Sequence, residues 1–509
     1  MKTQGMTQQI EALRRMSGKK WFALFMEQGT GKTWSFLADA ERYYAVGKID
    51  AMFVLAPSGV HENWVLREIP MHMDCNYIAK FWQSGMGKRA FAQFEKDMLT
   101  PTEPGEIRPL RILTMNYEEM ATSKQAFEFA CKFMRATKCI FVLDESHKIK
   151  TPESKSATTR KVMKAKPLAV ARRIGSGTPM DKPQDIFTQM QFLEDGLLGT
   201  DSFHAFMSEF AVLVDPVNPS RESDWAMRRQ IKANPRLAWA IIVAKDDDTG
   251  LPMYRNLDKL NKLLEPHSYR VLKKDCLDLP PKQFTNHYFE LTSEQRRAYT
   301  LLEEELRIET SDGRIKPIHA LAKFGKLQQI TSGFVIVPGE DELRYIGEEN
   351  PRMDAIMRRL EDFPGKKIIW ARFREEVAEL KRRVIDAGIK MVEYHGGVKK
   401  GERNEAIEQF QNGDAQVMLG VQKAGGQGLT FTASNCTFFC SNEFSALARL
   451  QAEDRNHRIG TVGDSVLYID LVARDTIDEA IARAHQFKIS LSAEILGDRG
   501  IDLRGAGLG

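Results

Sequence analysis

Short apolar runs, each bounded by polar turns, recur in the first third of the chain and again in its last third. Between residues 20 and 195 they are Trp21–Phe25, Ala51–Ala56, Ile112–Met115, Cys139–Leu143 and Ala171–Gly175, and they alternate with segments of helical period. Several end in polar, turn-forming sequence, where open parallel α/β sheets carry their ligand loops. The rhythm returns over 366–475 in Lys367–Trp370, Lys390–Glu393, Gln416–Leu419, Cys436–Cys440 and Val466–Leu471. The stretch between, 196–350, is charged and mostly helical in pattern, as in Leu301–Arg307 and Ile318–Ile330. Asp278-Leu279-Pro280-Pro281 reads as a linker. The pattern predicts an α/β protein of two parallel-sheet lobes in tandem with helical insertions, and no fixed-period repeat.

Composition narrows the class without fixing the function. With 509 residues, 28% charged and 42% apolar, the chain has an ordinary globular composition. Its net charge is only +4, so nucleic-acid binding would have to use local patches. The six cysteines (75, 131, 139, 276, 436 and 440) form no C-x-x-C pair and have no histidine at zinc-ligand spacing. They read as reduced, mostly buried thiols in a reducing cytosol. His61-Glu62 lacks the second histidine of a zinc protease. The first residues carry no signal-peptide core, and the longest apolar run, Leu237–Ala244, is far short of the roughly 20 residues that span a bilayer. A soluble intracellular protein is expected, with residues 496–509 as a flexible Gly-rich tail.

The chemistry is concentrated in two segments. Residues 26–33 read Met-Glu-Gln-Gly-Thr-Gly-Lys-Thr and follow a strand-like run. Such a loop turns the backbone N–H groups of Gln28, Gly29, Thr30 and Gly31 toward phosphates at a helix N-terminus. Lys32 would reach the β- and γ-phosphates, and the Thr33 hydroxyl would ligate Mg²⁺. Met26 stands where the P-loop pattern has glycine, and no third glycine supports a dinucleotide-binding reading. Further on, Phe141–Leu143 leads into Asp144-Glu145-Ser146-His147. Asp144 would hold the metal, and Glu145 would orient or deprotonate the attacking water. Together the segments predict ATP hydrolysis.

The second lobe has no P-loop but contains Gln451–Gly460, in which Arg455 and Arg458 are three apart and would share one face. A solvated charged helix would explain that segment alone. Beside an ATP site on a neighbouring lobe, the two guanidinium groups read as arginine fingers, worth roughly 10³–10⁵ in rate. Gln422–Thr430 follows a strand, and its glycines permit close approach of phosphates. The aromatics at 203, 206 and 210 have the spacing of a helix core stripe.

These residues resemble the Swi/Snf-type ATPases of helicase superfamily two, in their compact phage and bacterial form, over roughly residues 4–490. Gln8 stands where the family has its adenine-reading glutamine, and Glu27–Thr33 resembles motif I, in which Glu or Asp ahead of Gly-x-Gly-Lys-Thr is normal. Ala56–Val60 with Asn63-Trp64 resembles motif Ia, Asn116-Tyr117-Glu118 motif Ib, and Asp144–His147 motif II. Ser176–Pro179 resembles motif III, which in such motors links hydrolysis to strand binding. Tyr269-Arg270 with Leu279–Lys282 looks like the passage into lobe two. Ile368–Phe373 resembles motif IV, Gly425–Thr430 motif V and Gln451–Arg458 motif VI.

The resemblance implies two RecA-like lobes. Residues 1–275 would form lobe one with a helical protrusion at 196–270, and 276–495 lobe two with an insertion at 290–345. It implies ATP and Mg²⁺ as cofactors and Lys32, Asp144, Glu145, Gln451, Arg455 and Arg458 as the catalytic set. Strand contacts are expected from Pro57, Ser58, Asn116, Tyr117, Arg372, Gly425, Gly426 and Thr430. Basic clusters at Lys164–Lys166 with Arg172-Arg173, Lys381–Arg383 and Lys399-Lys400 would widen the track, although solvated helix faces explain each as well. The implied activity is a monomeric, DNA-stimulated ATPase moving along double-stranded DNA in a bacterial or phage-infected cytoplasm, generally without separating the strands. Fork or junction remodelling, stripping of proteins from DNA, and service as the motor of a restriction or defence complex all remain open. The intact catalytic set argues against a scaffold without turnover, and an RNA helicase fits motifs II and VI less well.

Overall fold

In the computed structural model the described residues are 1–100, 108–233, 241–311, 317–336, 342–422 and 430–498. They fall into two compact units. The first gathers Met1–Phe206, Leu257–Asp278 and Glu494–Asp498, and the second gathers Met207–Asn256 and Leu279–Ala493. Residues 207–256, expected as part of a first-lobe protrusion, thus group with the second unit. They are not wholly helical either, since the isolated bridges Ala211–Tyr254, Leu213–Val243 and Lys245–Pro252 run through them.

The first unit is built on a seven-stranded sheet: β1 (Trp21–Met26), β2 (Ala51–Ala56), β3 (Tyr77–Phe81), β4 (Leu110–Asn116), β5 (Cys139–Asp144), β6 (Ala171–Gly175) and β7 (Ser268–Val271). The order is β3-β4-β2-β5-β6-β1-β7, and every pairing is parallel. Every residue of β2 and of β5 is buried, because helices cover both faces of a parallel sheet. The apolar runs of the sequence therefore became its central strands.

Two polar segments read differently in the fold. Arg172 and Arg173 lie within β6 rather than on a surface track. Arg173 is fully buried, 2.9 Å from Asp39, and donates to the Lys19 and Lys20 carbonyls. Arg172 donates to Glu194 at 2.6 Å and lies over the Trp21 ring. Lys166 is also buried, paired with Asp195. Tyr269-Arg270, expected in the passage between lobes, is part of the edge strand β7, paired with β1. Arg270 reaches the Phe25 and Gly177 carbonyls and pairs with Asp498 at 2.9 Å. Residues up to Asp498 are therefore anchored rather than part of a loose tail, while 499–509 lie outside the described residues.

The second unit contains β8 (Lys282–Phe289), a small antiparallel pair β9 (Phe334–Ile336) and β10 (Leu343–Tyr345), then β11 (Lys367–Ala371), β12 (Met391–Tyr394), β13 (Val417–Val421), β14 (Cys436–Phe439) and β15 (Val466–Ala473). Its main sheet has the order β12-β13-β11-β14-β15-β8 and is wholly parallel. Helices Ser293–Ser311 and Pro317–Thr331 supply the expected insertion. In the first unit, the Phe203 and Phe206 rings pack on Phe187, as a core stripe should. No described helix is long and apolar enough to cross a membrane.

Asp39→Ala would leave the Arg173 guanidinium buried without its carboxylate. We expect a loss of about 3–5 kcal/mol in denaturant unfolding. A near-wild-type midpoint would mean that the Lys19 and Lys20 carbonyls suffice to compensate it.

Candidate active site

Strand β1 delivers the chain to a loop that cannot be built without glycine. Met26, which stands where the P-loop pattern has glycine, is the last residue of β1 and fully buried. Gly29 (φ 84°) and Gly31 (φ 97°) then take left-handed backbone that turns the loop into the helix Lys32–Ala45. Gly31 has a second constraint, since a Cβ there would lie 1.9 Å from Gln9 Nε2. Both glutamines of the first helix, Thr7–Met16, lean on this loop: Gln8 Nε2 donates to the Thr30 carbonyl at 3.3 Å and Gln9 Nε2 to the Gly31 carbonyl at 3.4 Å. Lys32 Nζ donates to the Met26 carbonyl at 2.7 Å, so the ammonium group curls over its own loop. Thr33 follows in the first helical turn.

Strand β6 lies between β1 and β5, so the segment after β6 separates the loop from the carboxylates. Asp144 ends β5 and pairs with Gly175 of β6. Glu145 follows in left-handed backbone (φ 56°, ψ 56°), a strained conformation for a non-glycine residue. Four polar contacts hold it there. Its Oε2 accepts from Ser176 Oγ at 3.1 Å and lies 3.3 Å from His147 Nδ1, its Oε1 accepts from Gln28 at 3.3 Å, and its carbonyl accepts from the Lys148 N–H. His147 and Ser176 also share a hydrogen bond of 3.1 Å. Motif III is thereby tied directly to motif II, and the P-loop Gln28 to the same carboxylate.

Two groups from further along the sheet grip Asp144. The Trp64 indole N–H donates to Oδ2 at 3.1 Å, and the Tyr117 hydroxyl donates to the backbone carbonyl at 2.9 Å. Burial and the adjoining Glu145 carboxylate push the Asp144 pKa above the ordinary carboxylate range. Burial also disfavours charge on Glu145, but the His147 hydrogen bond and the Lys32 charge outweigh it and hold that carboxyl well below the usual range. The Asp144 and Glu145 carboxylates at the end of β5 and the Thr33 hydroxyl in the first turn of the helix after the loop are hard oxygen donors of the kind Mg²⁺ takes. Among the described residues there is no group of three His, Cys, Asp or Glu that could hold a metal ion.

In the second unit the helix Ala446–Glu453 ends just before the two arginines. Arg449 within it pairs with Asp470 and Glu453, and Lys282 reaches Glu453 at 2.9 Å. Arg455 Nε donates back to the Gln451 carbonyl at 2.9 Å and is fully buried. Arg458, partly exposed, donates to the Asp454 carbonyl and to Thr430 Oγ1 at 2.8 Å. Motifs V and VI therefore touch through Thr430 and Arg458.

The expected strand contacts divide. Ser58 and Gly59 are exposed at the end of β2, while Pro57 is buried beneath them. Asn116 is half-buried and caps the following helix by accepting from the Glu119 N–H. Tyr117 is only 2% exposed and faces inward, because its hydroxyl holds the Asp144 backbone, so it does not offer a surface to a strand. Arg372 is largely packed, stacked on Phe444 and Phe373 and facing Glu443 at 3.8 Å. Gly425 and Gly426 lie outside the described residues. Sequence reasoning missed the roles of Gln9, Trp64 and His147. Trp64 left a trace as part of the Asn63-Trp64 pair and His147 as the last residue of Asp144–His147, whereas Gln9 left none.

The SNF2-related domain model matches residues 13–332, and that of the helicase conserved C-terminal domain matches 351–460. The chain belongs to the SNF2-related family of helicase-like ATPases. TATA-binding protein-associated factor mot1 of Aspergillus fumigatus is 24% identical over 413 residues, covering 72% of this chain and 20% of that protein. The chromodomain-helicase-DNA-binding protein 1-like of Danio rerio is 23% identical over 508 residues, covering 95% and 43%. A human SWI/SNF-related regulator of chromatin, subfamily A member 1, is 22% identical over 461 residues, covering 87% and 38%. The chain thus spans less than half the length of these relatives. Among solved structures, the Sulfolobus solfataricus SWI2/SNF2 ATPase core in complex with dsDNA aligns over 98% of this chain and 94% of that one, at 21% identity and a TM-score of 0.39.

The geometry of the family's P-loop here makes Gly31→Ala informative. Left-handed backbone and the Gln9 contact both oppose the methyl group, so binding of a fluorescent ATP analogue should weaken by at least about tenfold. Unaltered affinity would show that the loop tolerates the strain.

Proposed function

We propose that the protein is an ATP-driven motor that moves along double-stranded DNA. The observation that carries this is the contiguity of phosphate loop, paired carboxylates and motif III on the neighbouring strands β1, β6 and β5. The family membership and the DNA-binding name of the Danio rerio relative support it.

Gln28–Gly31 would cradle the phosphates through backbone N–H groups, and Gln8, already beside the loop, would read the base. Lys32 would swing from the Met26 carbonyl to the β- and γ-phosphates. Thr33 and Asp144 would hold Mg²⁺, whose charge would offset that of the phosphates. Glu145, held ionised by the His147 hydrogen bond and the Lys32 charge, would orient or deprotonate the attacking water. Gln451, Arg455 and Arg458 would supply the rest of the catalytic set, the two guanidinium groups acting on the γ-phosphate. Strand phosphates would be met by the exposed Ser58-Gly59 turn with Pro57, by Asn116, and on the second lobe by Arg372, Gly425, Gly426 and Thr430. Such contacts carry little sequence preference and weaken steeply with salt.

The test is the ATPase rate at fixed salt with linear duplex, single-stranded DNA, RNA or a four-way junction. Duplex DNA is expected to stimulate turnover strongly, and a further gain on the junction would assign a remodelling role. Stimulation by RNA alone, or by nothing, would overturn the motor reading. Arg458→Ala is the better probe of the arginine fingers, because the buried Arg455 also serves folding. It should lower turnover by roughly 10³ while DNA binding persists. Wild-type turnover would remove Arg458 from the catalytic set.

A further inference from the structure

The two groups that grip Asp144 belong to the same chain segments that would meet the DNA. Trp64 lies at the start of the π-helical turn Trp64–Glu68, directly after the short helix Val60–Asn63 that leaves the exposed Ser58-Gly59 turn. Single turns of this kind are unusual and tend to occur at functional sites. Tyr117 is the residue after Asn116, at the end of β4. The two segments are also tied to each other, since Thr114 Oγ1 of β4 donates to the His61 carbonyl at 2.7 Å. Strand β2, which leads into the turn, pairs with β4 on one side and with β5 on the other, with Ala56 opposite Asn116 and Leu55 opposite Leu143. All three strand ends therefore lie in one row, and both cross-links converge on the residue that ends β5.

We propose that Trp64 and Tyr117 are positioning residues that transmit occupancy of the DNA-contacting turns to the Asp144 carboxylate. The inference rests on the motor reading above and extends it by naming the path. Neither side chain touches nucleotide or DNA in this account. Trp64 is 1% exposed and Tyr117 2%, and each acts through Asp144 alone. The indole fixes the side-chain oxygen Oδ2, while the phenol fixes the backbone to which that side chain is attached. A phosphate drawing on the Ser58-Gly59 turn would pull a short, cross-tied segment whose other end is bonded to the metal-binding oxygen. In the opposite direction, a change at Asp144 when phosphate leaves would loosen the grip on the strand. Motif III, through Ser176, acts instead on Glu145. The two neighbouring carboxylates thus have separate tethers, one to the water-orienting group and one to the metal-binding group.

Trp64→Phe and Tyr117→Phe each remove one donor and keep the ring. The first reading is the ratio of duplex-stimulated to unstimulated kcat, with DNA affinity measured alongside by fluorescence anisotropy. Losing a hydrogen bond to an ionised group should cut the ratio by about tenfold in Trp64→Phe at nearly unchanged DNA affinity. A smaller cut is expected in Tyr117→Phe, whose partner is a neutral carbonyl. The second reading needs no turnover. The Mg²⁺ concentration for half-maximal binding of a fluorescent ADP analogue should shift when duplex DNA is added to the wild type, and should not shift in either variant. A purely structural defect would displace that concentration equally with and without DNA, leaving the shift in place. An unreduced ratio together with a retained shift would overturn the inference while leaving the motor reading intact. A wild-type protein unstimulated by any DNA would overturn both.

Discussion

Two carboxylates buried side by side at the end of one strand are the constraint on which the first unit depends. Burial opposes their charge, and mutual repulsion adds to the cost. Glu145 also occupies backbone that side chains avoid. Such an arrangement persists only if its surroundings over-determine it. They do so here from every direction along the sheet: Trp64 and Tyr117 from β2 and β4, Ser176 from β6, Gln28 from the loop after β1, and His147 from the turn itself. The scattered motifs of the first unit are, physically, the tethers of one electrostatically costly pair.

The second unit faces the converse problem, burying cations. Arg352 is fully enclosed and answered by Asp478 and Thr331, and Arg449 by Asp470 and Glu453. The Arg449 network ties the helix Ala446–Glu453, which precedes Arg455 and Arg458, to Asp470 of β15. His485 reinforces the same region. It is buried against the Glu443 carbonyl, and burial pushes its pKa down to about 4, so it stays neutral near pH 7. The proposed catalytic groups of both units sit in turns at the ends of regular elements, which set their position while leaving their side chains able to rearrange.

Much of this was legible because buried parallel strands write themselves as uninterrupted apolar runs. β1, β2, β5 and β6 read directly, as did β11, β14 and β15. Strand β8 did not, since Lys282–Phe289 is an edge strand with mostly polar, half-exposed residues. Arg172-Arg173 looked like surface charge because a pair of arginines gives no hint of a buried Asp39 far away in sequence. The P-loop and the Asp144-Glu145 pair were legible because the chemistry demands particular residues at fixed spacing. Their supports were not, because an indole or phenol donor reaching Asp144 from another strand is a fact of tertiary register. Met26 illustrates both sides, a departure from pattern that falls at the strand end.

The central claim is that hydrolysis at the carboxylate pair drives movement along duplex DNA. Displacement of a fluorescent third strand from a triplex placed at increasing distances along a duplex tests it most directly. The account predicts displacement only with hydrolysable ATP, after a lag that lengthens in proportion to the distance travelled. Displacement without a length-dependent lag, equal release with a non-hydrolysable analogue, or none despite active ATP turnover would contradict it.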